Sequence, residues 1–290
     1  MKFFDLLRDK PVVLLDGAIG TQLDKRGLMA RGRNNLDAPE AVAEIHRAYA
    51  RAGCHALTTN TLTMNRIYIE THKVDVPVRE VNVAGAKLAR EAARDDQCVL
   101  GNLSTTGQLL EPYGPLTQAQ LHEALAEQAG ILTEAGVDAL LIETLFDLRE
   151  ALGALAACKG SSKLPVLVSI AFQTEKDGGR TVMGDTAEQC ARQLAEAGAD
   201  VVGANCGELG PAQMATVVAT LQAYTDRPIV AQPNAGRPTL VDGRTVFDLE
   251  PGPFARGVIA CIDAGARLVG GCCGTTPGHI AAVRESIEKL

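Results

Sequence analysis

Short runs of apolar, often β-branched residues alternate eight times with longer stretches of helical periodicity. The runs cover 12–18, 56–61, 99–104, 139–144, 166–172, 201–206, 229–234 and 267–272. Between and after them, 39–51, 78–94, 118–135, 148–158, 187–197, 212–224, 253–264 and 277–289 carry the spacing of amphipathic helices. Strands alternating with helices of this length predict parallel βαβ units. Parallel strands buried on both faces read as unbroken apolar runs, as these do. Thr117 with Gln120 and Thr186 with Gln189 fit capping boxes, and Thr276-Pro277 fits an N-cap followed by proline at the first helical position. Gly53, Gly136, Gly198 and Gly265 each stop an alanine-rich helix just before a strand. That recurrence predicts an α/β fold closed as one (β/α)8 TIM barrel, a single domain over 1–290, rather than an open sheet. The length of 290 residues sits near the ~250 usual for that fold.

The longest irregular stretches, 24–38, 108–116 and 173–185, all follow strands. In a barrel they stand over the C-terminal face, where active sites form. The strand ends deliver polar groups to the same face. They are Asp16-Gly17-Ala18-Ile19-Gly20-Thr21, Thr59-Asn60-Thr61, Glu143-Thr144, Asn205-Cys206-Gly207, Pro233-Asn234-Ala235-Gly236 and Cys272-Cys273. Polar groups ending apolar strands are costly unless paired, and together they read as a site. Singly, each has a plain structural reading. Asp-Gly is ordinary turn chemistry, and Glu143 suits a helix cap or an arginine partner.

The chain has 8 cysteines. Cys54, Cys98, Cys158, Cys190 and Cys261 lie in helical or strand patterns and read as small buried hydrophobes. Cys206 and the Cys272-Cys273 pair differ, because each closes an apolar run and is followed by glycine. Neighbours along a strand point apart. Adjacent thiols reach one point only where the strand ends and the backbone turns, which glycine permits. Three thiols at two strand ends suggest three ligands of one metal, and three protein ligands with an open fourth position is the catalytic zinc arrangement. The CxxC spacings of structural zinc are absent from the sequence.

Composition narrows the partners. Hydrophobic residues make up 46% and charged residues 22%, ordinary for a soluble globular chain. A net charge of −7 and no Lys/Arg cluster speak against a nucleic-acid partner. No apolar run approaches the ~20 residues of a membrane span. The opening ten residues are broken by charge and lack a signal-peptide core. A cytoplasmic location is expected, where thiols stay reduced and cysteine clusters point to metal or catalysis.

Asp16-Gly17-Ala18-Ile19-Gly20-Thr21, Thr59-Asn60-Thr61, Ile142-Glu143-Thr144, Asn205-Cys206-Gly207, Pro233-Asn234-Ala235-Gly236 and Gly271-Cys272-Cys273-Gly274-Thr275-Thr276-Pro277 resemble, in order and spacing, the homocysteine S-methyltransferase family. The Gly-Gly-Cys-Cys-Gly-Thr-Thr-Pro form is most similar to the homocysteine-binding barrel of cobalamin-dependent methionine synthase. Leu62, where that branch usually has an aromatic, and Gly207-Glu208 depart from it. The resemblance implies a (β/α)8 barrel with Zn2+ held by Cys206, Cys272 and Cys273, which activates homocysteine as a thiolate for methylation to methionine. Asp16, Gly17, Ala18, Gly20, Thr21, Asn60, Glu143, Asn205 and Asn234 are the expected substrate-binding residues. Glu143 would meet the amino-acid ammonium, and backbone N–H groups of loop 17–21 its carboxylate. Asn234 suits either the open zinc position in the free enzyme or the substrate.

The methyl donor is the least determined part. The sequence holds no Asp-x-His-x-x-Gly corrinoid motif. His46, His55, His72, His122 and His279 read as surface or helix-terminus histidines. One barrel leaves no second domain for folate or cobalamin. The expected donor is a separate methyl-corrinoid protein or a folate-linked system, with S-methylmethionine or betaine as the small-molecule alternative. Two other readings compete: a phosphate-binding barrel using Gly270-Gly271, and a non-catalytic subunit that presents zinc or a ligand.

Overall fold

The computed structural model describes residues 2–29, 31–241 and 243–290. Residue 1, at the head of the charged opening stretch, and residue 30, within the irregular 24–38 stretch, lie outside them. Eight parallel strands form the barrel: β1 (Val13–Leu14), β2 (Ala56–Thr58), β3 (Cys98–Leu103), β4 (Ala139–Leu145), β5 (Val166–Ile170), β6 (Val201–Asn205), β7 (Ile229–Gln232) and, after a hairpin formed by β8 (Thr239–Val241) and β9 (Arg244–Val246), β10 (Ala266–Val269). Their order around the sheet is β1-β10-β7-β6-β5-β4-β3-β2. A parallel bridge from Leu15 to Ala56 closes the seam between β1 and β2. His55 reinforces it: its N–H donates to the Leu14 carbonyl at 2.6 Å, and its Nδ1 accepts from the Leu14 N–H at 2.9 Å. The chain is thus a (β/α)8 TIM barrel.

The eight predicted helices are present. Pro39–Arg51 has the predicted bounds, and the others shift by a few residues at an end. Both predicted capping boxes form, at Thr117 with Gln120 and at Thr186 with Gln189. Thr276 caps its helix through His279, which also reaches the Leu249 carbonyl at 2.7 Å. No helix of the described residues is long and apolar enough to cross a membrane.

Two apolar layers follow from the two-residue period of the strands. Val13, Leu15, Leu100, Leu141, Leu167, Val230 and Leu268 fill the barrel interior, and Phe3 and Leu6 of helix Phe3–Asp9 plug its lower end. The intervening residues, such as Leu14, Val99, Leu140, Val168, Val202 and Val269, face the surrounding helices. This packed interior is what lets the opposite end carry irregular, polar backbone.

His46 departs from the surface reading. It lies inside Pro39–Arg51, is 0% exposed, and neither ring nitrogen has a hydrogen-bond partner. Helical periodicity assigns position 46 to the buried face with Val42 and Tyr49, and that packing overrides the polarity of the ring. Burial pushes its pKa down to about 4. A folded pKa below the unfolded value of ~6.5 means that its stabilising share is present above pH 6.5 and lost as pH falls towards 4. His46→Leu should therefore remove about 3 kcal/mol of the stability that the native chain loses over that window. Urea unfolding of both proteins at pH 7.5 and 4.5 measures it; identical pH slopes would refute the assignment.

Candidate active site

The alternation that builds the core also builds the site. Inward positions change from apolar to polar towards the strand ends: Leu100 then Asn102 on β3, Leu141 then Glu143 on β4, Val230 then Gln232 on β7. Above them lies a cavity of about 260 Å³. Gly17, Ala18, Gly20, Thr21, Asn60, Glu143, Cys206, Cys272 and Cys273 line it, as do Asp24, Thr58, Asn102, Thr144 and Gln232. Three predicted site residues, Asp16, Asn205 and Asn234, stand behind that wall, hydrogen-bonded to their neighbours.

Three thiols meet there from two strand ends. The Sγ atoms of Cys206, Cys272 and Cys273 all lie within 4.8 Å of one another, and those of Cys206 and Cys273 are 3.7 Å apart. They form the one group of His, Cys, Asp or Glu side chains with metal-ligand spacing among the described residues. Hydrogen bonding with Cys206 and Cys273, together with burial, holds the Cys272 thiol well above its ordinary range. Thiols packed this closely resist ionising together unless a cation joins them. The other five cysteines are buried.

The backbone that presents these groups is unusual. β4 carries an extra residue between the pairs Ile142–Val168 and Leu145–Ile170. Such a bulge re-aims side chains, and here it sets Glu143 and Thr144 side by side on the wall. Thr144 has φ 64° and Cys206 has φ 52°, left-handed values that non-glycine residues seldom adopt. Asn205 secures the first. Its Oδ1 accepts from the Thr144 N–H at 2.9 Å, and its Nδ2 donates to the Thr144 Oγ1 at 2.7 Å. The same Nδ2 lies 3.8 Å from the Cys272 Sγ. Gly207 follows at φ 63°, where a Cβ would come within 2.2 Å of the Phe172 carbonyl oxygen, so only glycine fits.

Thr275 ties the glycine-rich loop to the cysteine loop. Its Oγ1 accepts from the Ala18 N–H at 2.9 Å and donates to the Cys272 carbonyl at 2.7 Å. Thr21 accepts from the Gly274 N–H at 3.2 Å. On the other side, the Cys272 N–H donates to the Pro233 carbonyl at 2.8 Å and the Ala235 N–H to that of Cys273 at 2.9 Å. Asn234 lies between these staples. Its Nδ2 donates to the Gly207 carbonyl at 2.9 Å, while its buried Oδ1 has no partner.

Two carboxyls are held in low dielectric. Burial pushes Glu143 up to about 7, although Asn102, donating at 2.8 Å, acts the other way. Burial pushes Asp16 up to about 8 against hydrogen bonds from the Thr58 N–H and O–H, at 2.9 and 3.0 Å. Thr58, Asn102 and Gln232 were not among the predicted site residues. Each lies two positions beyond an inward apolar residue, so extending the period of two through the strand would have found them. Asp24, read from the sequence as the start of an irregular stretch, ends a short helix, Gly20–Asp24, and left no such signal.

The model of the homocysteine S-methyltransferase family matches residues 13–287. The methionine synthase of Mycobacterium tuberculosis is 30% identical over 96% of this chain and 25% of its own length. That of Mycobacterium leprae is 30% identical over 96% and 24%. The chain thus spans about a quarter of the length of these relatives. Among solved structures, the metallated homocysteine methyltransferase MmuM of Escherichia coli superposes with a TM-score of 0.79 over 97% of this chain and 98% of that one, at 23% identity. The carboxyl transferase domain of Rhizobium etli pyruvate carboxylase follows at 0.56 and 15% identity, over 97% and 49%. At these identities the two structures speak for the barrel fold alone. The family match covers nearly every residue that builds the barrel and its cavity, and the chain belongs to the homocysteine S-methyltransferase family.

Proposed function

We propose that the chain is a zinc-dependent enzyme that methylates homocysteine to methionine, with Cys206, Cys272 and Cys273 holding the metal. The observation that carries this reading is the meeting of three thiols on the cavity wall. Tetrahedral bonds of ~2.3 Å would set two sulfurs ~3.8 Å apart, and the Cys206–Cys273 separation is 3.7 Å. Three thiolates suit zinc and leave one position open. The unpartnered Asn234 Oδ1 offers a neutral oxygen for it in the free enzyme. Bound zinc supplies the charge that keeps these thiols, and an acceptor thiol beside them, deprotonated near neutral pH.

The remaining work falls to the chain. Glu143 receives the ammonium of homocysteine, which draws the buried carboxyl into its ionised form. Amides of loop 17–21 hold the carboxylate of the substrate. The walls exclude water, so the sulfur lone pair forms its bond to the methyl carbon as the bond from donor to methyl breaks. We assign the donor to a protein-bound methyl-corrinoid or a folate-linked system. The strand-end motif and the 30% identity with two methionine synthases support that choice. One observation favours a second reading, a cationic small donor such as S-methylmethionine or betaine: Asp24 lines the cavity with an unpartnered Oδ1. A donor panel scored by methionine formation separates the two.

Cys206→Ala, Cys272→Ala and Cys273→Ala should each lose most of the zinc and the activity while keeping the far-ultraviolet signature of the barrel. A variant that retains full metal by elemental analysis would remove that cysteine from the ligand set. Glu143→Gln should keep its zinc and weaken homocysteine binding by about 2–5 kcal/mol, the cost of breaking a desolvated charge pair. Unchanged affinity would return Glu143 to a structural role. Homocysteine binding should release at least about one proton near pH 7, because a thiol with an ordinary pKa of ~8.5 must ionise to join the site and the Glu143 carboxyl ionises with it. Calorimetry in buffers of different ionisation enthalpy reads this, and zero release would contradict thiolate activation.

A further inference from the structure

Resting on the metal-site reading above, the hydrogen bonding of Cys272 bears on which sulfur is methylated. The cysteine thiolates and the acceptor thiolate are chemically alike. A methyl electrophile that reaches the cavity meets cysteine sulfur as well as the substrate, since Cys206, Cys272 and Cys273 all line it. Attack by Cys272 would form a carbon–sulfur bond on the enzyme as the donor releases its methyl group, and a metal ligand would become a thioether. The site therefore needs a means of ranking its sulfurs.

Asn205 is placed to do so. The orientation of its amide is dictated by Thr144. The Thr144 N–H is a donor, so the atom facing it at 2.9 Å is Oδ1, and Nδ2 is left facing the Thr144 Oγ1 at 2.7 Å and the Cys272 Sγ at 3.8 Å. An amide nitrogen has two hydrogens. One serves the hydroxyl and the other is available to sulfur. Asn205 is 0% exposed, so water does not compete for that hydrogen. A hydrogen bond to a thiolate lowers the energy of its lone pair, and charge-assisted bonds in dry surroundings are the strong ones. We propose that Asn205 is a positioning residue that fixes the bulge at Thr144 and, through its second N–H, damps the Cys272 thiolate and so guards that sulfur against methylation.

The test uses zinc-loaded full chain, with zinc stoichiometry measured first, and iodoacetamide as electrophile. Peptide mass spectrometry follows each cysteine with time. In Asn205→Ala, Cys272 should be alkylated roughly tenfold faster than in the native chain, the equivalent of one hydrogen bond to a charged group. Cys206 and Cys273 should keep their native rates. With Co2+ in place of zinc, the sulfur-to-metal charge-transfer band of the variant should move to lower energy. Thr144→Val, which leaves the Asn205–Cys272 contact in place, should do neither. Asn205→Asp retains the acceptor for the Thr144 N–H and loses both donors; it should repeat the Cys272 effect if the alanine variant folds poorly. Equal acceleration of all three thiols, or none, would overturn the proposal and leave Asn205 a loop anchor. A native chain that takes up no zinc would instead sink the metal reading, and the proposal with it.

Discussion

Acidic groups crowd the dry end of this barrel, and the described residues on the cavity wall include no lysine or arginine. That charge imbalance governs the rest of the site. Asp16 and Glu143 are pushed up to about 8 and 7 by burial, and Cys272 is held above its ordinary range by its two thiol neighbours. Each group resists ionising because water has been removed and no cation of the chain replaces it. A site of this kind is electrostatically unfinished. It favours ligands that bring positive charge, and the proposed pair, a divalent metal beside the thiols and an ammonium beside Glu143, supplies two at the two places where acids lie.

Holding such groups together requires a frame that does not relax away from them. The barrel provides one because its interior is packed with Val13, Leu15, Leu100, Leu141, Leu167, Val230 and Leu268 just beneath the polar layer. Close-packed interiors deform little. The left-handed backbone at Thr144 and Cys206 can therefore be sustained, at a cost of order 1–3 kcal/mol each. Asn205 hydrogen-bonds the first of these, directly precedes the second, and touches a third element, the β10 loop, through Cys272. Loss of that one amide would release the bulge beside Glu143.

Much of this was legible in the sequence, for definite reasons. Helix bounds such as Pro39–Arg51 follow from proline, caps and glycine stops, which act locally. Six of the eight strands came out shorter than their apolar runs: β1 keeps Val13–Leu14 of 12–18, and β7 ends at Gln232 rather than at 234. The difference is physical, because the chain leaves the ladder to present its polar ends, so the missing residues are those of the site. The three cysteines were legible because glycine follows them at strand ends. Asn102 and Gln232 were not, since a polar residue inside an apolar run is visible only once the inward face is known. Helix Phe3–Asp9 was hidden by its charges, and only the open lower end of a finished barrel explains why Phe3 and Leu6 are buried.

The acceptor and donor halves of the proposed reaction lie on different parts of the fold. Thiols, carboxyls and amides stand at strand ends, where hydrogen-bond ladders and the packed layer below fix them. The mouth is built from loops. Met29, Leu109, Tyr113, Val182 and, on the hairpin, Leu240, Val241 and Val246 are large apolar residues exposed there. Loops tolerate change that a strand end does not. A barrel can therefore keep one acceptor chemistry while its mouth is altered to meet another donor. Strand-end motifs could be read in the sequence because turn and register rules act locally, whereas no short-range rule of sequence encodes the loop surfaces of the mouth.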